Sequence, residues 1–422
     1  MKRILFFIIA GIAAALNAGE FRIDTDREEA LYKCGEPAVF TVTALDDDGN
    51  LLKEGTAVIS FRKEKMQPLR EEVMDFTENN PASYTLTLDE PGFIWCTVNN
   101  QENVYYPSPI GAAGFDAEMI EATTEEPDDF DQFWADGIAE AQAIPLDPEV
   151  TPLENFSNPD FNGYKVSLAN VDNTRIYGFL AVPKNEPGPF PIIIMVPGAG
   201  QGDVAPNLYF FNKPKVMTLV MNVHFFDPGP DTTEQAFKEL GRTHGTYSYY
   251  GAPDRMKYYH RRSILGINRA FEFVETLPQW DGENIGLFGS SQGGAYALIL
   301  SGLNPGKVKF TVANVPAMCE HTAYKDGRSP GWPLLIDNTP DGTEKMAPYF
   351  DVVNFAARVD NPVCVGVGFI DVACGPSSVY AAFNKIKAPK KIYPSPKMGH
   401  SFDKVFVKET TEAMYKALGV EP

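Results

Sequence analysis

The sequence predicts an α/β protein in two parts: a mostly parallel sheet wrapped by helices, preceded by a small all-β unit. Three observations carry this. Before about Asn99, apolar residues alternate in short runs separated by turn residues. Beyond Pro145, apolar runs of strand length alternate with helical patterns, as parallel strands joined by crossovers require. One of those runs, Asn284-Ile285-Gly286-Leu287-Phe288, leads into Gly289-Ser290-Ser291-Gln292-Gly293-Gly294 and then a helix-forming stretch from Ala295 to Leu300.

The chain opens on Lys2-Arg3, an apolar run from Ile4 to Leu16, and Asn17-Ala18-Gly19. A basic start, an apolar core and a small-residue exit describe a secretory signal peptide over residues 1–18. The run is too short for a bilayer, which needs about 20 apolar residues. No cysteine follows it to carry a lipid. Export to the periplasm or the extracellular space is expected, with no membrane contact after cleavage.

The remainder is long enough for two domains: 422 residues in all, 44% of them hydrophobic. A formal net charge of -20 argues against nucleic acid and anionic membranes as partners. Five cysteines are too few for a disulfide scaffold. Cys34 and Cys96 are candidates for a pair in an oxidising compartment. Cys319, Cys364 and Cys374 lack metal-ligand spacing and are expected as buried thiols.

Residues 19–107 read as a small β-sandwich of immunoglobulin-like type. Its strands are Ala38 to Ala44, Ala57 to Phe61, Ser83 to Leu88 and Gly92 to Val98. The cluster from Asp46 to Asn50 reads as a turn, since it lacks the ligand spacing of a calcium loop. Residues 108–126, rich in small and acidic residues, read as a linker. The second domain then fills 127–422. Asp128-Asp129-Phe130-Asp131-Gln132-Phe133-Trp134 opens a helix with acidic residues in its first turn. Tyr164 to Leu168, Arg175 to Val182, Phe190 to Val196 and Val216 to Val223 read as strands, and Tyr258 to Leu277 as a long amphipathic helix.

The strand, the Gly289-x-Ser291-x-Gly293 turn and the helix match the nucleophile elbow of an α/β-hydrolase, in which a strained turn lifts a serine clear of the sheet. Small residues at Gly289 and Gly293 let strand and helix approach closely. The near-continuous apolar run from Asn361 to Ile370 is a buried strand delivering Asp371 at its carboxyl end. A last short strand, Lys391 to Tyr393, is followed by a loop ending in His400. Catalytic groups gather at the carboxyl ends of such strands. The order Ser291, Asp371, His400 is that of an α/β-hydrolase triad. Ser291 needs a base to become a nucleophile, His400 can take and return its proton, and Asp371 would orient the imidazole.

Acyl transfer also needs donors for the oxyanion. The amide of Gln292 follows the nucleophile. The strand from Phe190 runs into Pro197-Gly198-Ala199-Gly200-Gln201-Gly202, and Ala199 is the expected second donor. A dinucleotide fingerprint is excluded here, because its third glycine would fall at Asp203. No cofactor and no metal are expected. His224, at a strand end near the site, is read chiefly as structural, while His244, His260 and His321 show no ligand spacing.

Taken together, these motifs resemble the acetyl xylan esterase and cephalosporin C deacetylase family of carbohydrate esterases, from about Pro127 to the C-terminus. The likeness rests on the Asp128 to Trp134 segment, Lys257-Tyr258-Tyr259-His260-Arg261, Gly289 to Gly294, Asp371 to Asn384, and Gly399-His400. It implies a secreted serine esterase that removes O-acetyl groups from sugars through Ser291, Asp371, His400 and an acetyl-enzyme. The chain departs from the family at three places. It has Pro197-Gly198-Ala199 where His-Gly-Tyr is usual, His224-Phe225-Phe226-Asp227 where Arg-Gly-Gln is usual, and Gly399-His400-Ser401 in place of Gly-His-Glu. The β-rich front is an addition, set against the ring-shaped oligomer known in the family; the assembly state stays open. Two other readings remain: hydrolysis of other acyl bonds, as by a peptidase or general carboxylesterase, and a carbohydrate-binding protein without activity.

Overall fold

The computed structural model describes residues 20–99, 109–205 and 215–421, so the expected signal peptide lies outside the described residues. The front of the chain forms β1 (Glu20–Thr25), β2 (Leu31–Tyr32), β3 (Ala38–Leu45), β4 (Thr56–Lys63), β5 (Gln67–Asp75), β6 (Ala82–Leu86), β7 (Gly92–Asn99) and β8 (Ile110–Phe115). They make a three-stranded sheet, β1-β3-β6, and a five-stranded sheet, β2-β8-β7-β4-β5. Phe40 and Val42 of β3 share one core with Ile59 and Phe61 of β4, Ile94 and Cys96 of β7, and Phe115 of β8. The two sheets are therefore packed face to face.

Strand β7 is buried on both faces. Successive side chains point opposite ways: Ile94, Cys96 and Val98 enter the core between the two sheets, while Phe93 and Trp95 join the core of the second domain. Two sequence expectations change here. The stretch 108–126 is not a free linker, because Ile110–Phe115 is a strand of the five-stranded sheet. Its small residues serve close packing: a Cβ on Gly111 would come within 2.3 Å of Ile23, and one on Gly114 within 2.7 Å of Phe93. Strand β5 has no counterpart in the sequence reading, because it is almost wholly exposed and carries no apolar alternation. Cys34 and Cys96 are free thiols, with Cys96 buried in the core and its thiol pushed up by that burial. The Asp46 carboxylate accepts from Asp48 N at 3.0 Å and Asn50 N at 2.8 Å, closing the expected turn.

The second part continues with α1 (Phe130–Gln142), β9 (Glu149–Pro152), β10 (Phe161–Asn170), β11 (Thr174–Pro183), β12 (Phe190–Val196), β13 (Met217–Met221), α2 (Thr233–His244), α3 (Tyr259–Glu275) and β14 (Trp280–Ser290). Then follow α4 (Gln292–Leu303), β15 (Phe310–Asn314), α5 (Thr343–Met346), α6 (Val352–Ala356), β16 (Val363–Gly368), α7 (Pro376–Lys385), β17 (Lys390–Ser395) and α8 (Lys404–Ala417). The sheet order is β17-β16-β15-β14-β12-β13-β11-β10-β9. Pairing is parallel from β17 to β13 and antiparallel from β13 to β9. This is the mostly parallel, helix-flanked sheet of an α/β-hydrolase. Strand β12 pairs in parallel with β13 on one side and β14 on the other. The chain order reverses there, and the carboxyl ends of β12 and β14 flank the crevice where such sheets bind ligands.

Candidate active site

Ser291 sits between β14 and α4 with φ 58° and ψ −123°, a conformation a side-chain-bearing residue rarely holds. The turn is enforced by glycines. A Cβ on Gly289 would lie 2.0 Å from Gly293 O, one on Gly293 2.0 Å from Val196 O, and one on Gly294 2.8 Å from Asn314 O. No side chain fits between strand, helix and neighbouring strands. Hydrogen bonds close the bend: Ser291 N donates to Asn314 O at 2.9 Å, and Ser291 O accepts from Ala295 N and Ala317 N, each at 3.0 Å.

Asp371 follows β16 and is fully buried. Its Oδ2 meets His400 Nδ1 at 2.8 Å, while Oδ1 accepts from Ala373 N at 2.8 Å and Cys374 N at 2.9 Å. One carboxylate thus forms a local turn and holds the imidazole. The His400 side chain keeps 31% of its surface exposed. Ser291 and His400 line the same cavity of about 390 Å³, with Pro197, Gly198, Asp203, Phe288 and Phe402 among its walls. Ser291, Asp371 and His400 thus follow the carboxyl ends of β14, β16 and β17. Cys374 joins the last two in a group whose donor atoms lie within 4.8 Å of one another. Burial pushes the Cys374 thiol well up, and both Asp371 oxygens and His400 Nδ1 already have hydrogen-bond partners.

The turn after β12 lies against the elbow: a Cβ on Gly198 would reach Ser291 Cβ at 4.0 Å. Gly198 lines the cavity, and Ala199 beside it is exposed. Gln292 begins α4 fully buried, its Oε1 accepting from Tyr247 Oη at 2.7 Å. Two residues after β13 pin the turn. Asn222 exchanges hydrogen bonds with the Asp203 backbone at 2.9 and 2.8 Å. His224, 1% exposed, places Nε2 at 2.6 Å from Gly200 O and Nδ1 at 2.8 Å from Tyr259 Oη. A carbonyl only accepts, so Nε2 carries the proton and Nδ1 accepts from the tyrosine. Burial lowers the His224 pKa to about 4, which keeps the ring neutral. His224 is structural, packed on Phe226, Phe237 and Tyr247.

The sequence reading missed Asn314. At the carboxyl end of β15, fully buried, its Nδ2 donates to Ser290 Oγ at 3.0 Å and to Ser401 O at 2.9 Å. It ties the elbow to the His400 loop. The available signal was a lone amide ending the apolar run Phe310 to Ala313.

Comparison with known proteins follows the same line. The acetyl xylan esterase (AXE1) family model matches residues 118–417. The acetyl esterase Axe7A of Xylanibacter ruminicola is 30% identical over 411 residues, covering 93% of this chain and 91% of that protein. The fold resembles solved acetyl xylan esterases. One, from Paenibacillus sp., has a TM-score of 0.61 at 22% identity, covering 71% of this chain and 98% of its own. Another, from Thermoanaerobacterium sp., has a TM-score of 0.62 at 23% identity, covering 71% and 97%.

Proposed function

Because this chain belongs to the acetyl xylan esterase family and is a carboxylic ester hydrolase, we propose that it removes O-acetyl groups from carbohydrates with Ser291, His400 and Asp371 as its triad. The observation that carries this reading is the 2.8 Å Asp371–His400 pair beside a cavity that Ser291 also lines. Ser291 Oγ attacks the acetyl carbonyl as His400 takes its proton. The amides of Gln292 and Ala199 stabilise the oxyanion. His400 returns the proton to the departing sugar oxygen, leaving acetyl-Ser291. Water, deprotonated by His400, attacks that ester, and acetate leaves as Ser291 regains its proton. Asp371 holds the imidazole in the required tautomer throughout.

The reading extends to the rest of the chain. The apolar run from Ile4 to Leu16 supports export as a signal peptide, and among the described residues no helix is long and apolar enough to cross a membrane. The first unit is an immunoglobulin-like sandwich that runs on through β8, and the catalytic unit follows from about residue 118.

The test is acetate release from a panel of acetylated glycans by the wild type and Ser291→Ala. The expected outcome is release by the wild type and none by a Ser291→Ala variant that melts normally. Undiminished release by the variant would reject the assignment. An acyl-length series tests the deacetylase reading separately: a preference for long chains over acetyl would reject it.

A further inference from the structure

We propose that the turn joining β4 to β5 is a positioning element for the catalytic acid, with Lys65 and Glu64 fixing the loop that carries Asp371. The proposal rests on the reading of Asp371 as the acid of the triad.

The loop from Phe369 to Gly375 is gripped from the N-terminal sheets at two places, and the segments that flank it are held at a third. Trp95 Nε1 donates to Phe369 O at 2.8 Å. The Lys65 ammonium donates to Val372 O. The Glu64 carboxylate, 2% exposed, accepts from Ser377 N at 2.8 Å on one oxygen and from Ser329 N at 2.9 Å on the other. Ser377 lies in the first turn of α7, so Glu64 satisfies a backbone donor that the helix leaves unpaired. The Ser329 segment in turn meets the loop, since Trp332 N donates to Ala373 O at 2.9 Å.

The Lys65 contact bears directly on the acid. Val372 C=O and Ala373 N–H belong to one planar peptide unit. Ala373 N–H is one of the two donors that aim Asp371 Oδ1, and the opposite oxygen then faces His400. Holding the carbonyl end of that plate therefore sets the amide end and the direction of the carboxylate. The gripping turn is itself rigid. Met66 N donates to Lys63 O at 2.9 Å, and Arg62 Nη2 donates to Lys65 O at 3.2 Å and Met66 O at 2.8 Å. Glu64 sits at φ 46°, a left-handed conformation that costs free energy for a residue with a side chain.

Burying these groups is itself unfavourable. Burial pushes the Glu64 carboxyl up despite its two amide donors, and pushes the Lys65 ammonium down. Packing alone would be served by apolar residues at a junction already closed by Phe93 against Phe369, with ring centroids 5.0 Å apart. The directional hydrogen bonds of these two polar side chains orient a loop that apolar contact would leave free to slide.

The experiment uses the full chain and a small soluble acetyl ester, too short to span both units. Lys65→Met should lower kcat on the order of 10- to 100-fold with KM unchanged. The melting transition should stay cooperative, and the downfield NMR signal of the His400 Nδ1 proton should broaden. Lys65→Arg should restore most of the loss. Glu64→Gln, which leaves one acceptor where two amides now donate, should shift kcat in the same direction and serves if Lys65→Met does not fold. Unchanged kcat in Lys65→Met or, failing that, in Glu64→Gln, beside an inactive Ser291→Ala, would overturn the positioning role and leave the triad standing. An effect confined to KM on polymeric glycans would overturn it in favour of substrate binding. Activity surviving in Ser291→Ala would instead remove the triad reading on which the proposal rests.

Discussion

Asn314 donates one side-chain hydrogen bond to the Ser290 hydroxyl at 3.0 Å, and the same amide nitrogen reaches Ser401 O at 2.9 Å. The residue before the proposed nucleophile and the residue after the proposed base are thus fastened to one buried side chain. Strand β15, which supplies it, contributes no group to the chemistry.

Asn314→Ala should therefore separate two loops while leaving every proposed catalytic group in place. Losing both bonds and leaving Ser401 O without its donor should cost about 1–3 kcal/mol of stability. Turnover should fall on the order of tenfold or more with KM unchanged. Urea denaturation and steady-state kinetics on one small ester check both. An unchanged kcat would show that the elbow and the His400 loop hold their spacing alone.

Asp371→Asn retains an oxygen for the Ala373 and Cys374 amides, so the turn survives. Its NH₂ then faces His400 Nδ1 and favours the tautomer with the proton on the wrong nitrogen. A loss of kcat on the order of 10⁴-fold is expected, with little change in melting temperature. A loss below about tenfold would argue that another group orients the ring.

Gly293→Ala and Gly289→Ala place a Cβ 2.0 Å from a backbone carbonyl oxygen, where nothing flexible can give way. Each should destabilise the fold by about 3 kcal/mol or more. Gly198→Ala is the control: its Cβ meets nothing closer than 3.8 Å, so its stability should stay within about 0.5 kcal/mol of the wild type. Equal stability across the three would contradict the packing described for the elbow.

Stability should fall as pH falls from about 6.5 towards about 4, through His224. The unfolded chain protonates this imidazole near 6.5, while burial holds it neutral in the fold down to about 4. Between those values the unfolded state binds more protons, so acid favours unfolding, by at most about 1.4 kcal/mol per pH unit. His224→Gln keeps a donor for Gly200 O and removes the titration. Its melting temperature should vary less with pH over that window than the wild type's, and parallel curves would reject the assignment.

Ser291 and Asp371 stood out in the sequence as triad candidates because each follows an apolar run long enough to read as a strand, and strand ends in such sheets are where reacting groups collect; His400 stood out only by its place in the chain order, after the short strand at Lys391 to Tyr393. The boundaries of β12, Phe190 to Val196, were likewise readable from an unbroken apolar run. Strand β5 was not, because exposure removes the alternation that marks a strand. The segment at β8 failed for the opposite reason. Gly111, Ala112, Ala113 and Gly114 look like flexible linker, yet Gly111 has no room for a side chain beside Ile23, nor Gly114 beside Phe93. Asn314 was invisible because its meaning lies in two loops distant in sequence. The same holds for Glu64 and Lys65, whose partners lie some 300 residues further along.

Strand β7 has no solvent face. A chain shortened to begin where the family match begins, at residue 118, would bare the surface that Phe93 and Trp95 now cover and leave the Phe369 carbonyl without its donor. For anyone trimming this protein for crystals or expression, the junction is a fault line that cannot be cut. The stretch before residue 118 has the sequence texture of an appendage and the packing of an inner wall.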